Sequence, residues 1–199
     1  MFGLEPSAAA IKSLKLIKEK NIKSIVELGA GLGRDTIFFA KNSIHVKALD
    51  YSLTAVKIIN KKIEENNLSK FISTKVFDIR KKLPFEDNSI EACFSHMLYC
   101  MALSNLDLKN LNNEVFRILK PGGINIYTVR NIYDGDYKKG IYRGENLYEN
   151  EGFIVHFFSK EKIKKLSKGF QIMEIDPFDE GKFPRKLFRV ILTKQQQQQ

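Results

Sequence analysis

The stretch Val26–Thr36, with the sequence VELGAGLGRDT, decides the fold. It leaves an apolar run, crosses three glycines at alternate positions and then takes on a helical pattern. Glycines at this spacing let a turn between strand and helix approach a ligand closely. Two charged residues flank them, with Glu27 before the first glycine and Arg34 directly after the last. The stretch therefore predicts a strand, a ligand-binding loop and a helix.

Outward from this loop, predicted strands alternate with predicted helices. The strands are Ser24–Leu28, Ile44–Leu49, Phe71–Phe77, Ile90–Ser95 and Ile124–Val129, with two closing strands at Gln171–Ile175 and Leu187–Thr193. The helices are Ser7–Lys20, Arg34–Lys41, a helix from the N-cap Ser52 to about Asn67, and one that Asp107 caps and that continues to Ile118. This alternation predicts an α/β fold with a doubly wound, mostly parallel sheet.

Ligands of such sheets bind outside the carboxyl ends of the strands. Asp50 follows the second strand, 21 residues after Gly29, where a carboxylate can accept hydrogen bonds from both hydroxyls of a ribose. Asp78 follows the third strand, where it can accept from an adenine amino group. Each acid alone is equally well explained as a helix cap or a turn residue. Together with the glycine loop, they predict a ligand that contains a nucleoside.

Two charges argue against a dinucleotide as this ligand. A dinucleotide loop has glycine where Arg34 stands, and it places a diphosphate on the N-terminus of the helix. The carboxylate of Glu27 would repel that diphosphate. A ligand with an ammonium, a sulfonium and one carboxylate fits both residues better, and S-adenosylmethionine has these groups.

Four stretches between Ser24 and Arg130 carry a family resemblance. They read VELGAGLGRD, ALDYS, FDIRKKLPFEDNSIEACFSHMLY and EVFRILKPGG, and with them the chain resembles the class I S-adenosylmethionine-dependent methyltransferases. The resemblance implies a seven-stranded Rossmann-like sheet whose last strand is antiparallel. It also implies cofactor-binding roles: Glu27, Gly29, Gly31 and Gly33 around the methionine part, Asp50 at the ribose, Tyr51 against the adenine, Asp78 and Ile79 at its edge, and Ser95 near the amine.

Three further expectations concern the reaction. Arg34 is predicted to pair with the methionine carboxylate or with an acid in residues 131–152. His96, just past the fourth strand, is the first candidate for a general base and Tyr99 the second, although His96 is also explained as a packing residue of the pocket wall. A soft acceptor such as a thiolate needs no base. The three histidines have no ligand spacing, so no metal site is predicted.

Residues 131–152 contain four of the seven tyrosines and are predicted to form a lid over cofactor and acceptor. The alternative is a surface loop whose tyrosines pack locally. The lid belongs to a single domain, residues 1–194, and Gln195–Gln199 form a low-complexity tail. The two cysteines make no disulfide framework, which favours a cytoplasmic protein, and no apolar run reaches the ~18 residues of a membrane span.

The methyl acceptor is predicted to be a small molecule. The C-terminal stretch GFIVHFFSKEKIKKLSKGFQIMEID resembles the branch that includes thiopurine and tellurite-resistance methyltransferases, which act on small molecules. The formal charge of +10 keeps an RNA or protein methyltransferase open, although the sequence lacks the Asn-Pro-Pro-Tyr and Pro-Cys motifs of base-modifying enzymes. A noncatalytic protein that only binds S-adenosylmethionine is the third possibility.

Overall fold

The structure is a computed structural model that describes residues 5–181 and 185–195. Of the predicted glutamine tail, only Gln195 lies within the described residues. The helices are α1 Ala8–Glu19, α2 Arg34–Lys41, α3 Leu53–Glu65, α4 Asn105–Ile118 and α5 Lys160–Leu166. The strands are β1 Ser24–Leu28, β2 His45–Asp50, β3 Ile72–Val76, β4 Ile90–Ser95, β5 Leu119–Arg130, β6 Ile141–Tyr142, β7 Leu147–Asn150, β8 Phe153–His156, β9 Phe170–Glu180 and β10 Arg185–Lys194. Within the described residues, no helix has the length and apolar character needed to cross a membrane.

Seven strands form the central sheet in the order β3-β2-β1-β4-β5-β10-β9. The pairs among β1 to β5 are parallel, and β10 runs antiparallel to both β5 and β9. This confirms the predicted doubly wound sheet with an antiparallel last strand. Because β1 and β4 are neighbours while β2 lies on the other side of β1, the strand order reverses at β1. A crevice opens at such a reversal, on the carboxyl side of the sheet.

Each face of the sheet carries its own apolar core. One core joins the sheet to α4 and α5 and includes Leu111, Val115 and Ile163, while the other joins it to α1, α2 and α3. Helices on both faces explain why β1 and β4 are buried at successive residues rather than at alternate ones, as expected for parallel strands inside a domain.

The N-cap of α4 differs from the sequence-based prediction. The helix begins after Ser104, whose side chain accepts from the amide of Asp107 at 3.1 Å, while the Asp107 carboxylate accepts from the amide of Ser104 at 2.9 Å. The prediction that Asp107 is the cap was therefore wrong by three residues. Asp107 is the acidic partner in a reciprocal capping box, in which two otherwise unpaired amides are satisfied.

Residues 131–158 fold as a small antiparallel sheet of β6, β7 and β8 rather than as an irregular loop. The buried Arg130, the last residue of β5, fixes the start of the segment by pairing with Asp134 and with Asp136. The ring of Phe157, 5.4 Å from the Arg130 guanidinium carbon, packs against the same cation. Arg130 thus anchors this segment to the main sheet.

Candidate active site

A cavity of about 680 Å³ lies at the carboxyl ends of β1, β2, β3 and β4. This volume is within the range of small-molecule sites. Nine of the residues predicted to act at the site line it: Glu27, Gly29, Gly31, Arg34, Asp50, Tyr51, Asp78, Ile79 and His96. The other lining residues are Ala30, Leu32, Asp35, Lys62, Phe77, Arg80, Met97, Leu98, Met101, Ala102 and Leu103. The parallel sheet therefore brings together residues that are up to 76 positions apart in the chain.

The glycine loop is held by the aspartate that ends β2. One carboxylate oxygen of Asp50 accepts from the amide of Gly31 at 2.8 Å, and the other accepts from the amide of Ser52 at 2.9 Å. Gly31 has a left-handed φ of 55°, and a side chain there would meet nothing within 4 Å, so its backbone borders open space in the cavity wall. Each carboxylate oxygen has further acceptor capacity, so Asp50 can hold the loop and still accept from a ribose. The loop and Asp50 fit a nucleoside-containing cofactor.

The opposite end of the cavity is formed by residues after β3. Asp78 faces Arg80, whose Nε and Nη2 lie 2.9 and 2.7 Å from its two carboxylate oxygens. These hydrogen bonds from Arg80 lower the pKa of Asp78 to about 2, so the carboxylate is charged at neutral pH. Ile79 is buried beneath the cavity, whereas Tyr51 is 81% exposed at its mouth. The position of Tyr51 allows its ring to cover a planar ligand.

Two buried carboxyl groups lie beneath the glycine loop. The hydroxyl of Thr36 donates to Glu27, and the amide and hydroxyl of Ser7, the N-cap of α1, donate to Asp35 at 2.7 and 2.8 Å. Burial raises the pKa of Glu27 well above its ordinary value, and the nearby carboxylate of Asp35 raises it further. Burial also raises the pKa of Asp35. A cationic ligand group beside Glu27 would favour its ionised form.

His96 lies on the cavity wall with both ring nitrogens close to protein groups. Its Nδ1 is 2.9 Å from the hydroxyl oxygen of Thr128, which also accepts from the amide of Met97, and its Nε2 is 3.5 Å from Oε2 of Glu180. Burial lowers the pKa of His96 to about 3, and the cations of Arg34 and Arg185 contribute. The imidazole is therefore neutral at physiological pH, and its Nδ1 is held by the hydroxyl of Thr128.

Three predicted site residues, Tyr99, Ser95 and Gly33, do not line the cavity. Tyr99 is completely buried, its ring stacks on Tyr127 with 4.3 Å between centroids, and its hydroxyl accepts from Asn125 at 3.2 Å. Its place in the core argues against the predicted catalytic role, since burial also raises the pKa of its hydroxyl. Ser95 is buried at the end of β4, and among the described residues its hydroxyl has no hydrogen-bond partner.

Gly33, the third glycine of the loop, does not line the cavity either but shapes its floor. It is the N-cap of α2 and has a left-handed φ of 80°. A side chain there would come within 2.8 Å of Ile59 on α3. Gly33 therefore lets the loop enter α2 while α3 packs closely beneath it.

Arg34 contacts an acid that the sequence did not predict. Its Nη2 lies 2.9 Å from Oε1 of Glu180, the last residue of β9, and both side chains are less than one-fifth exposed. The expected partner was the methionine carboxylate or an acid in residues 131–152. The apolar wall from Met97 to Leu103 was also missed, because an apolar run after a strand indicates packing as readily as a binding surface.

The predicted lid, residues 131–152, contributes no residue to the cavity wall. Its small sheet packs behind the loop that follows β4, where the amide of His156 donates to the carbonyl of Cys100 at 2.9 Å. The imidazole Nδ1 of His156 lies 2.7 Å from the carbonyl of Leu103. The segment thus supports one wall of the cavity from outside, and its closure over a ligand stays a prediction.

Comparisons with known proteins agree with this geometry. Residues 25–123 match the family described as a methyltransferase domain. A phosphoethanolamine N-methyltransferase from Triticum aestivum is 33% identical over 148 residues, which are 70% of this chain and 28% of the wheat protein. A tRNA N(3)-cytidine methyltransferase from Bos taurus is 29% identical over 153 residues, covering 71% of this chain and 40% of that protein. This chain thus spans less than half the length of either relative.

The fold has close counterparts among solved structures. A SAM-dependent methyltransferase from Methanosarcina mazei superposes with a TM-score of 0.72 at 20% identity, covering 87% of this chain and 93% of that one. At this identity the match concerns the fold alone. Residues 25–123, which match the methyltransferase-domain family, contain the glycine loop, Asp50, Asp78 and His96, and the sheet brings all of these to one cavity. Residues 25–123 of this chain thus match the methyltransferase-domain family, and the fold is that of S-adenosylmethionine-dependent methyltransferases.

Proposed function

We propose that this protein transfers the methyl group of S-adenosylmethionine to a small-molecule acceptor. The observation that carries the proposal is the cavity of about 680 Å³ in which the glycine loop and Asp50 meet a wall of apolar side chains. A cofactor and a small acceptor can share a site of this kind, because the polar end orients the cofactor while the apolar wall excludes water.

Within this site, each residue has a proposed task. Asp50 accepts from the ribose, Asp78 and Ile79 border the adenine edge, and Tyr51 covers the ring from the mouth of the cavity. Glu27, Gly29 and Gly31 border the methionine part. Ser95 is buried at the end of β4 and does not line the cavity, so its predicted contact with the amine is not part of this proposal. When bound, S-adenosylmethionine supplies a methyl group on a positively charged sulfur.

The acceptor is proposed to need no strong general base. His96 has a pKa near 3, and its ring nitrogens lie next to Thr128 and Glu180, so it is poorly placed to take a proton from an acceptor. The chain's contribution is then to hold the acceptor in line with the methyl group and to exclude water. A soft nucleophile or an amine that is neutral when bound suits such a site.

An RNA acceptor is the second candidate. It is favoured by the formal charge of +10 and by the similarity to a tRNA methyltransferase. Exposed cations lie near the adenine end of the cavity, among them Arg80, which is 60% exposed. Such cations would contact phosphates rather than a base, so they support binding more than base selection.

The deciding experiment is a screen of acceptors that measures release of S-adenosylhomocysteine. One set contains small amines, phosphorylated amino alcohols and thiols, and the other contains unmodified tRNA. Turnover on a small molecule with none on tRNA is the expected result. Turnover on tRNA alone, with an affinity that falls steeply with salt, would support the second candidate instead.

A further inference from the structure

Glu180 joins two residues of the cavity wall that come from different strand ends. Its Oε1 lies 2.9 Å from Nη2 of Arg34, the first residue after the glycine loop, and its Oε2 lies 3.5 Å from Nε2 of His96, the first residue after β4. The side chains of Arg34, His96 and Glu180 are 17, 9 and 16% exposed. This carboxylate is therefore part of a nearly buried cluster at the edge of the cofactor cavity.

The contact is unexpected from the order of strands. Glu180 ends β9, the edge strand, which is separated from β4 by β10 and β5. Neighbouring strands are about 4.8 Å apart, so in a flat sheet β9 would lie roughly 14 Å from β4. Contact with His96 requires the end of β9 to twist across the carboxyl edge of the sheet. The pairing of β10 with β5 ends at Leu187 and Arg130, whereas β10 and β9 continue to the pair Arg185 and Glu180, so the end of β9 projects past the carboxyl end of β5.

We propose that Glu180 is a positioning residue of the methyl-transfer site, which holds Arg34 and His96 in place on the cavity wall. The role rests on the proposed function, because it assigns a task to the site where the cofactor is proposed to bind. If Glu180 has this role, cofactor binding depends on where the β9–β10 strand pair lies. Neither strand belongs to residues 25–123, which the methyltransferase family matches.

The electrostatics explain why Arg34 needs this partner. A cation at the first position of a helix is opposed by the positive end of the helix dipole, and Arg34 begins α2. The Glu180 carboxylate offsets that repulsion, and because the pair is mostly buried, salt screens it only weakly. Without Glu180, the guanidinium would keep the more distant Asp35, 4.0 Å from its Nε, but would lose its nearest carboxylate, and His96 would lose the group 3.5 Å from its Nε2.

The test compares two glutamates of β9 that each pair with an arginine. Glu180→Gln removes the charge beside Arg34, whereas the control, Glu174→Gln, removes the charge that lies 2.6 Å from Arg189, away from the cavity. Calorimetry with S-adenosylhomocysteine and NMR signals of the His96 ring, assigned with a His96→Gln variant, are measured on both. We expect Glu180→Gln to weaken binding at least fivefold and to shift the His96 signals, and Glu174→Gln to change neither.

A third variant covers the case in which Glu180→Gln does not fold. Glu180→Asp keeps the charge but withdraws the carboxylate by one methylene group, and it is expected to weaken binding in the same direction. Equal affinities for wild type, the folded Glu180 variants and the control, with unmoved His96 signals, would overturn the positioning role and leave the cofactor assignment intact. Absence of binding by the wild type would instead overturn the proposed function, and with it the role of Glu180.

Discussion

At Glu27, burial of a carboxyl group affects stability and, in the proposed function, cofactor binding. Its carboxyl group is buried and its pKa is raised above that of an unfolded chain. The folded state therefore holds this proton more tightly than the unfolded state does, and the stabilising contribution is present below about pH 4.5. That contribution is lost as the pH rises through the folded pKa. The ligand-free protein thus carries an unfavourable buried carboxyl group at neutral pH, which a cationic ligand can compensate.

Glu27→Gln should therefore stabilise the ligand-free protein at pH 8 and weaken cofactor binding. Its amide oxygen can still accept from Thr36, but no charge has to be buried. Thermal unfolding at pH 5 and pH 8 checks the first part, and the melting temperature should fall less with pH in the variant than in wild type. The control is Glu65→Gln on the exposed surface of α3. A variant that loses stability at both pH values would contradict this explanation.

Asp50→Asn should weaken binding of S-adenosylhomocysteine about ten- to hundredfold. The change replaces one acceptor oxygen by a donor, and each hydrogen bond to a charged group contributes about 1.5–3 kcal/mol. Asp87→Asn is the matched control, because Asp87 is 70% exposed and does not line the cavity. Calorimetry gives the affinities, and circular dichroism verifies the fold. Unchanged affinity in a folded Asp50→Asn protein would rule out the ribose contact.

The positions of single site residues were predictable from the sequence where those residues lie at the carboxyl ends of strands. Asp50 and Asp78 follow apolar strands, and parallel strands bring their carboxyl ends to one edge, so spacing alone placed both at the cavity. Tyr99 was misplaced because the turn after β4 decides its direction: Met97 adopts a left-handed φ of 60°, and the chain beyond it turns Tyr99 into the core. Glu180 could not be predicted, because it is 146 residues from Arg34 and their contact depends on sheet twist.

At the level of elements, the capping box of α4 offers a simple test. Ser104→Ala should cost about 1 kcal/mol of stability, which corresponds to a fall of about 2–4 °C in melting temperature for a domain of this size. Stability falls because the variant lacks the side-chain oxygen that accepts a hydrogen bond from the amide of Asp107. Ser73→Ala in the edge strand β3 serves as control, since Ser73 is exposed. An equal change in both variants would mean that the cap contributes nothing.

The small sheet of β6, β7 and β8 is predicted to respond to ligands. It packs behind the loop from Met97 to Leu103 through His156, so movement of that wall on binding would reach the sheet. Amide hydrogen exchange in residues 131–152 should slow when S-adenosylhomocysteine is added. Residues of α3 that face solvent provide the internal control. Equal exchange with and without the ligand would contradict both the lid and any coupling to the cavity wall.

The strands β6 and β7 were hidden from sequence analysis, whereas the stretch that contains β8, GFIVHFF, is predicted to be extended. The strands of this small sheet are only two to four residues long, and the aromatic residues of the segment pack on one another, as Tyr137 does on Tyr148 and Phe157. Strands of two to four residues give too few positions for an alternating pattern, whereas β1 to β5 each have five or more residues. The extent of β9 was underestimated because, beyond Ile175, its half-buried positions include the charged residues Asp176 and Glu180, and Pro177 lies between them.

At the scale of the whole molecule, the strand order that defines the fold also determines where the proposed cofactor would bind. The strand order reverses at β1, the glycine loop leaves β1 at that point, and the acids after β2 and β3 face the same crevice. The acceptor does not follow from it, because the wall that would contact an acceptor comes from the loop after β4, and its apolar side chains are compatible with many small molecules.

The most direct test of the central claim is thermal unfolding with S-adenosylhomocysteine and, in parallel, with NAD. A ligand that binds only the folded state raises the melting temperature, by an amount equivalent to about 2.7 kcal/mol at a hundredfold excess over its Kd. Glu27 and Arg34 at the glycine loop predict a rise with S-adenosylhomocysteine and none with NAD. A rise with NAD and none with S-adenosylhomocysteine would contradict the assignment of this cavity to S-adenosylmethionine.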